Sequence, residues 1–176
     1  MPAIDELAES EKDVEIVWRA FELRPEPEPL PDATSEFFTT MWENSIYPLA
    51  ENLGVKIKMP TLKPRSRIAH EAAKWAQSQG KFDQFRDGLF RAYFEKGEDI
   101  EQKESAVSLA RDLGLDAESL SDSLKQEEFL AMVLADENAA AGLGLNGVPA
   151  FIANRQSGMM GIQSLENLKS LVASIR

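Results

Sequence analysis

Four prolines occupy alternating positions, 25, 27, 29 and 31, in the stretch RPEPEPLPD. Proline has no backbone N–H and restricts the residue before it, so this stretch can be neither the interior of a helix nor the centre of a sheet. We therefore predict an extended connector here. The hydrophobic pattern differs on its two sides, which makes the connector a boundary between parts of the fold.

The pattern before the connector predicts one helix and one strand. Residues 2–12 carry apolar side chains at i, i+3 and i+4 spacing, which is typical of a short helix. Residues 14–21, VEIVWRAF, alternate with a period of two and are rich in β-branched and aromatic side chains. That composition and period predict a largely buried strand.

The chain after the connector has a helical pattern as far as residue 142. Six stretches there carry an apolar stripe, and most of them end at a glycine, a usual C-terminal signal. Pro48 lies inside the first stretch and is expected to kink it. Asp116 is predicted to cap a later helix with its side-chain oxygen.

Near the C-terminus the pattern returns to strands. Residues 149–154 form the first predicted strand, and GMMGI, residues 158–162, forms the second. In the turn between them, Asn154 and Gly158 are the residues that tolerate unusual backbone angles. Ser164 is the predicted N-cap of a closing amphipathic helix.

The order of these elements predicts an α/β fold that is split by a helical insertion. The outer parts are residues 1–33 and 143–176, and the all-α insertion spans residues 34–142. A chain of 176 residues fits one domain with an insertion of this kind.

Composition excludes several classes of function. A net charge of −11 repels phosphate backbones, so we expect no nucleic-acid partner, and no apolar run is long enough to span a membrane. No secretory signal is visible, which makes the cytoplasm the expected location. The sequence has no cysteine and one histidine, His70. It therefore offers no disulfide, no thiolate nucleophile and no thiolate or multi-histidine metal site. A carboxylate site for Mg²⁺ or Ca²⁺ remains open, but no Asp/Glu loop resembles an EF-hand, so we predict no metal site.

Several motifs, in this order, resemble those of the DsbA family. They are VEIVWRAFEL, PRSRIAHEAAKWA, LFRAYFEKGEDI and GLNGVPAFIAN, followed by SGMMG. Within the family, these motifs are most similar to those of the FrnE-like branch, the dithiol-disulfide isomerases. The resemblance implies a thioredoxin-like fold with an inserted helical domain and a protein or peptide thiol or disulfide as substrate.

The resemblance also assigns candidate substrate-binding residues. Pro149 matches the cis-proline of the family's substrate-binding loop, with Gly147 and Val148 beside it. His70 matches a position that lines the face above that loop, although a structural hydrogen bond at the edge of the apolar stripe is the alternative. Arg67, near the start of the same helix, and Arg65 are either an anion site or ordinary surface residues. The aromatic residues at 82, 85, 90, 93 and 94 are expected to be bundle core.

The chain departs from the family at its most important motif. The family's CxxC motif follows a first strand and opens the first helix, whereas residues 2–12 match only the later part of that helix. We therefore expect no catalytic residue in this chain and an incomplete sheet. The two strands beside the gap would close up, accept a strand from a partner chain, or leave an exposed groove. Exposed edges would also permit homo-oligomers.

Three functions remain open at this stage. The first is a DsbA/FrnE-like thiol–disulfide oxidoreductase whose redox motif is absent from this chain. This function would need no cofactor. The second is a relative of kappa-class glutathione transferases and hydroxychromene-carboxylate isomerases, which would use glutathione. The third is a non-catalytic module that binds peptides along a sheet edge.

Overall fold

The computed structural model describes residues 2–176. No helix in that range is both long and apolar enough to cross a bilayer. The elements are α1 (Pro2–Ser10), α2 (Glu36–Met41), α3 (Tyr47–Asn52), α4 (Arg67–Ser78), α5 (Phe82–Arg91), α6 (Lys103–Asp112), α7 (Ala117–Lys125), α8 (Leu130–Gly142), β1 (Ala150–Ala153), β2 (Ser157–Met160) and α9 (Leu165–Ala173).

The two terminal helices pack against each other. Ile4 and Leu7 of α1 are buried with Leu168 and Val172 of α9. Neighbouring apolar residues from the extended segment and the hairpin complete this cluster, namely Val14, Ile16, Trp18 and Phe151. The outer parts of the chain therefore share one small core, although more than a hundred residues separate them in sequence.

The helices between the connector and the hairpin have a separate core. Its fully buried members come from four helices, α4 to α7, and are Ala72, Trp75, Ala76, Phe85, Ala106, Ala110, Leu120 and Leu124. Phe85 confirms the expectation that an aromatic residue fills this core. Phe90, which was expected there too, is 47% exposed, so that part of the prediction is wrong.

The first helix of this block contains a π-helical turn rather than a simple kink. The turn Trp42–Ile46 joins α2 to α3, so the two form one rod and the block has the six predicted helices. Pro48 lies in the first turn of α3, where its missing N–H removes a donor to the preceding turn. A second π-helical turn, Ala92–Lys96, continues α5.

Side-chain caps form where the sequence predicted them. The Asp116 carboxylate accepts hydrogen bonds from the backbone N–H groups of Glu118 and Ser119. The Ser164 hydroxyl accepts one from Asn167 at the start of α9. Both caps satisfy N–H groups that a helix leaves without partners in its first turn.

The predicted strand over residues 14–21 is not a strand. It is also not largely buried: Val14, Ile16 and Trp18 are partly buried, whereas Val17 on the opposite side is 51% exposed. Within the described chain, no backbone–backbone hydrogen bond reaches residues 15–21. The segment is extended, and its backbone bonds to side chains rather than to another strand: the Ala20 N–H donates to Asp136, and the Phe21 carbonyl contacts His70.

The predicted hairpin forms with small shifts in its bounds. β1 and β2 pair in antiparallel register, with Phe151 opposite Met159. Asn154 has a φ of 47°, which confirms its turn role, and Arg155 has a φ of 59°. Gly158 was expected in the turn but lies in β2. A Cβ at Gly158 would lie 2.6 Å from Ile152 Cδ1, so this glycine permits a close approach of side chain to backbone instead.

Candidate functional site

The predicted substrate loop leads directly into β1. The Val148–Pro149 peptide bond is cis, as the resemblance implied. The Pro149 carbonyl accepts a hydrogen bond of 2.8 Å from Gly161, which fixes the loop to the end of β2. Val148 is 49% exposed, and among residues 2–176 its own N–H and C=O have no backbone partner. The loop therefore presents a free backbone amide and an exposed apolar side chain together.

The edge of β1 next to this loop is also unpaired. The sheet has two strands in the described chain, so β2 covers only one side of β1. Because Pro149 bonds to Gly161 across the ladder, the alternation of an antiparallel pair turns the N–H and C=O groups of Ala150 and Ile152 away from β2. Of the three arrangements expected for the sheet, closure of the two flanking strands is not seen, because within the described chain no backbone hydrogen bond joins residues 15–21 to β1.

Gly147 precedes this pair and has one neighbour of note. A Cβ placed on it would lie 3.9 Å from Met160 Cε, which is ordinary van der Waals contact. Gly147 thus lies near Met160 of β2, and at the other end of the loop Pro149 bonds to Gly161, just after β2.

His70 lies in α4, where it contacts the end of the extended segment. Its Nε2 is 3.2 Å from the Phe21 carbonyl. Burial lowers the pKa of His70, and the Phe21 carbonyl only partly offsets that effect. A neutral imidazole can donate from Nε2 to this carbonyl. No hydrogen bond, ion pair or ring contact in the described chain joins His70 to residues 147–149.

Beside His70, a buried carboxylate ties the extended segment to α4 and α8. Asp136 of α8 accepts a hydrogen bond of 2.9 Å from the backbone N–H of Ala20 and one of 2.8 Å from Arg19. Its second ion pair is with Lys74 of α4, at 2.5 Å. The side chains of Lys74 and Asp136 are 7% and 3% exposed. Sequence reasoning missed this site, because residues far apart in the chain form it and each one alone looks like a surface charge.

A second buried carboxylate, that of Glu22, follows directly after the extended segment 14–21. The Glu22 side chain, 2% exposed, accepts a hydrogen bond of 2.7 Å from Arg67 Nε. That contact raises the pKa of Arg67. Glu137 of α8 faces Glu22, and burial together with this carboxylate raises the pKa of Glu137. We call the four side chains Asp136, Lys74, Glu22 and Arg67 the ionic seam.

Arg65 holds the proline-rich connector against α4. Its guanidinium donates to the carbonyls of Arg24, at 2.8 Å, and Glu28, at 3.0 Å. Arg65 and Arg67 were candidates for an anion site, and the structure instead uses both to fix the chain before α2. The connector is thereby positioned through its own backbone carbonyls. These carbonyls have no helical or sheet partner, because the prolines keep the segment out of helices and sheets.

Comparison with known proteins places this architecture. A family model for the DSBA-like thioredoxin domain matches residues 1–173. The chain belongs to the DsbA-like thioredoxin family. The cis-proline loop, the closing hairpin and helix, and the helical insertion are thus the parts of a thioredoxin-like fold.

This DsbA-like chain is also similar in sequence and structure to individual proteins. It is 32% identical over 148 residues to the uncharacterized protein YwbO of Bacillus subtilis, covering 80% of this chain and 72% of that protein. A solved structure, a probable DsbA oxidoreductase from Streptomyces coelicolor, superposes with a TM-score of 0.81 at 25% identity over 98% of this chain and 81% of that one.

A further solved structure shares the fold at lower identity. A 2-hydroxychromene-2-carboxylate isomerase superposes with a TM-score of 0.72 at 16% identity, covering 98% of this chain and 87% of that one. This likeness concerns the fold alone.

The chemistry available to this DsbA-like chain follows from its side chains. Thiol–disulfide exchange needs an attacking thiolate, and the 176 residues contain no cysteine. What the chain does present is hydrogen-bonding backbone at Val148 and at the outer edge of β1, next to exposed apolar side chains. Those are groups for binding an extended polypeptide, and they do not by themselves break a bond.

Proposed function

We propose that this chain supplies the polypeptide-binding part of a DsbA-like thiol–disulfide oxidoreductase. The observation that carries the proposal is the free backbone of Val148, exposed at the head of a strand whose outer edge is unpaired. An extended substrate segment pairs with these groups as an added strand. Placement in the FrnE-like branch is part of the proposal, and the order of the sequence motifs supports it.

The substrate is a protein or peptide that carries a thiol or disulfide. The loop contributes backbone hydrogen bonds, which do not depend on the substrate's sequence, and the exposed Val148 and Ile152 side chains contribute apolar contact. A site of this kind accepts many sequences in extended form. Exchange of the disulfide itself requires a thiolate that this chain does not contain.

Binding to the loop can be separated from chemistry by one titration. The probe is the insulin B chain with its cysteines blocked by carboxamidomethylation, followed by backbone amide NMR. We expect shifts at residues 147–152, and we expect Val148→Pro, which removes the N–H, to weaken binding about tenfold. Val148→Ala keeps that N–H and should stay within about threefold.

Two outcomes count against the proposal. Equal affinity of the two variants, both shown to be folded by circular dichroism, would mean that the Val148 backbone does not bind the polypeptide. Acceleration of insulin reduction by dithiothreitol in the presence of this chain would contradict the account of the missing thiolate.

The likeness to the isomerase fold favours one alternative, a glutathione-dependent function. In the same titration, reduced glutathione replaces the B chain. Saturable glutathione binding at residues 147–149 without any binding of the B chain would support that alternative and reject the proposal.

A further inference from the structure

One stretch of the helical insertion is strongly cationic in an acidic protein. Residues 52–70 contain five basic residues and neither Asp nor Glu, although the net charge of the chain is −11. Arg65 and Arg67 have the partners described above. The Nζ atom of Lys63 lies 3.0 Å from the centroid of the Phe38 ring. The two remaining cations, Lys56 and Lys58, are exposed, and within residues 2–176 they have no ion-pair partner.

These two lysines line a cavity of about 550 Å³. Its size falls in the range of sites for small organic ligands, about 300–1,000 Å³. The apolar part of the lining comes from Tyr47, Ala50, Val55 and Ile57. The charged part comes from Lys56, Lys58, Lys96, Glu51 and Glu95. An apolar surface therefore lies beside three ammonium groups and two carboxylates, and one of the ammonium groups, that of Lys96, pairs with Glu98 at 3.5 Å.

Backbone hydrogen bonds hold the cavity open in one shape. The Val55 N–H donates to the Ala50 carbonyl at 2.9 Å, and the Lys58 N–H donates to the Phe94 carbonyl at 2.7 Å. The Met59 N–H donates to the Tyr47 hydroxyl at 3.0 Å. The segment that carries the two lysines is thus fastened at its start and its end, so a ligand meets a preformed site.

The two π-helical turns found in residues 2–176 both border this cavity. The turn Trp42–Ile46 ends next to Tyr47, and the turn Ala92–Lys96 contains Glu95 and Lys96. A π-helical turn has poorer hydrogen-bond geometry than an α-helix and is found frequently at functional sites. Their convergence on one cavity is a second observation, independent of the charge, that distinguishes this place from the rest of the helical block.

We propose that this cavity binds a small organic monoanion, an aromatic carboxylate whose ring lies against Tyr47 and Ile57. Lys56 and Lys58 hold the carboxylate, whereas Lys96 is already paired with Glu98 at 3.5 Å. Glu51 and Glu95 also line the cavity, and their carboxylates repel a second negative charge on the ligand, which favours a monoanion over a phosphate-like dianion. The site shares no lining residue with the substrate loop, so it is a function additional to peptide binding.

The probe for this site is 2-naphthoate, titrated into the full chain and followed by amide NMR. We expect saturable shifts confined to residues 47–58 and 92–96. The neutral 2-naphthamide, which keeps the ring and loses the charge, should bind at least about tenfold more weakly. Loss of a charge-assisted hydrogen bond predicts a similar loss for the variant Lys56→Gln/Lys58→Gln.

A matched variant, Lys12→Gln/Lys81→Gln, changes the net charge equally at exposed positions far from the cavity in sequence. Its affinity for 2-naphthoate should stay within about twofold of the wild type. Equal loss in both double variants would reduce the effect to net charge and overturn the proposal. Shifts spread over the surface, equal binding of the amide, or no saturable binding would overturn it as well. None of these results depends on binding at Val148.

Discussion

Asp136 is a buried carboxylate whose charge is explained by its hydrogen-bond donors. Burial alone would raise the pKa of its carboxyl, but hydrogen bonds from Lys74, the Ala20 backbone and Arg19 outweigh that effect and lower it. The charge is therefore retained inside the fold because three donors surround it. Removing the charge leaves the Lys74 ammonium buried without a partner, and that is costlier than losing the contact itself.

Asp136→Asn is therefore expected to lower the free energy of unfolding by about 3–5 kcal/mol at neutral pH. Urea unfolding followed by circular dichroism measures it. Asp122→Asn is the control, because Asp122 forms an exposed pair with Lys125 at 2.9 Å. Such pairs contribute about 0–1 kcal/mol. Equal effects of the two substitutions would show that the ionic seam is not desolvated.

At the scale of elements, α5 and α6 pack closely at one point that a glycine permits. Gly88 is buried in α5, and a Cβ there would lie 2.5 Å from Leu109 Cδ1 and 2.9 Å from Leu109 Cδ2. A side chain at this position requires Leu109 to change rotamer or the two helices to separate. Helix propensity alone would favour alanine here, so packing decides the residue.

Gly88→Ala is expected to lower the unfolding free energy by about 1–3 kcal/mol, because it overpacks this contact. Gly142→Ala is the matched substitution: Gly142 ends α8 and no atom lies within 4 Å of its added Cβ. It should be neutral or raise stability by up to about 1 kcal/mol. Thermal and urea unfolding of both variants test the contrast, and two effects of the same sign would refute it.

The elements also show what a sequence pattern can and cannot predict. Helices and their caps depend on nearby residues, so Asp116 and Ser164 were predictable from local spacing. The alternation in residues 14–21 correctly predicted which side chains turn inward. It could not predict the absence of a ladder, because a strand also needs a partner backbone, and the pattern of one segment carries no information about its neighbours.

Buried carboxyl groups make the free energy of unfolding of the whole protein depend on pH. Burial, with the nearby Glu127 charge, raises the pKa of Glu71. A raised pKa favours the protonated form in the folded state. The stabilisation is therefore complete below the ordinary glutamate pKa of about 4.3 and is lost as the pH rises through the higher value in the folded protein.

Glu71→Gln mimics the protonated carboxyl and removes this loss. The free energy of unfolding of the variant, relative to the wild type, should rise between pH 4 and pH 7 in urea titrations. Asp136→Asn provides the opposite sign, since the lowered pKa of Asp136 stabilises the fold at neutral pH and that contribution fades on acidification. A flat difference for Glu71→Gln would show that the folded protein does not hold this carboxyl protonated.

The candidate site was only partly predictable at this scale. Val148 and Pro149 lie in one short motif, so the sequence was enough to place them in a loop before a strand. The ionic seam joins Ala20 to Asp136 and Glu22 to Arg67. Those pairs exist only once the fold brings distant segments together. The place of Lys56 and Lys58 beside the cavity likewise depends on hydrogen bonds between segments, such as that from the Lys58 N–H to the Phe94 carbonyl.

The pairing of α1 with α9 has a consequence for how the protein is made. Synthesis runs from α1 towards α9, so Ile4 and Leu7 stay without their partners Leu168 and Val172 until α9 has left the ribosome. The helices between residues 36 and 142 have their own core and can form while synthesis continues. During that interval the apolar face of α1 lacks the α9 side chains that bury it in the folded protein.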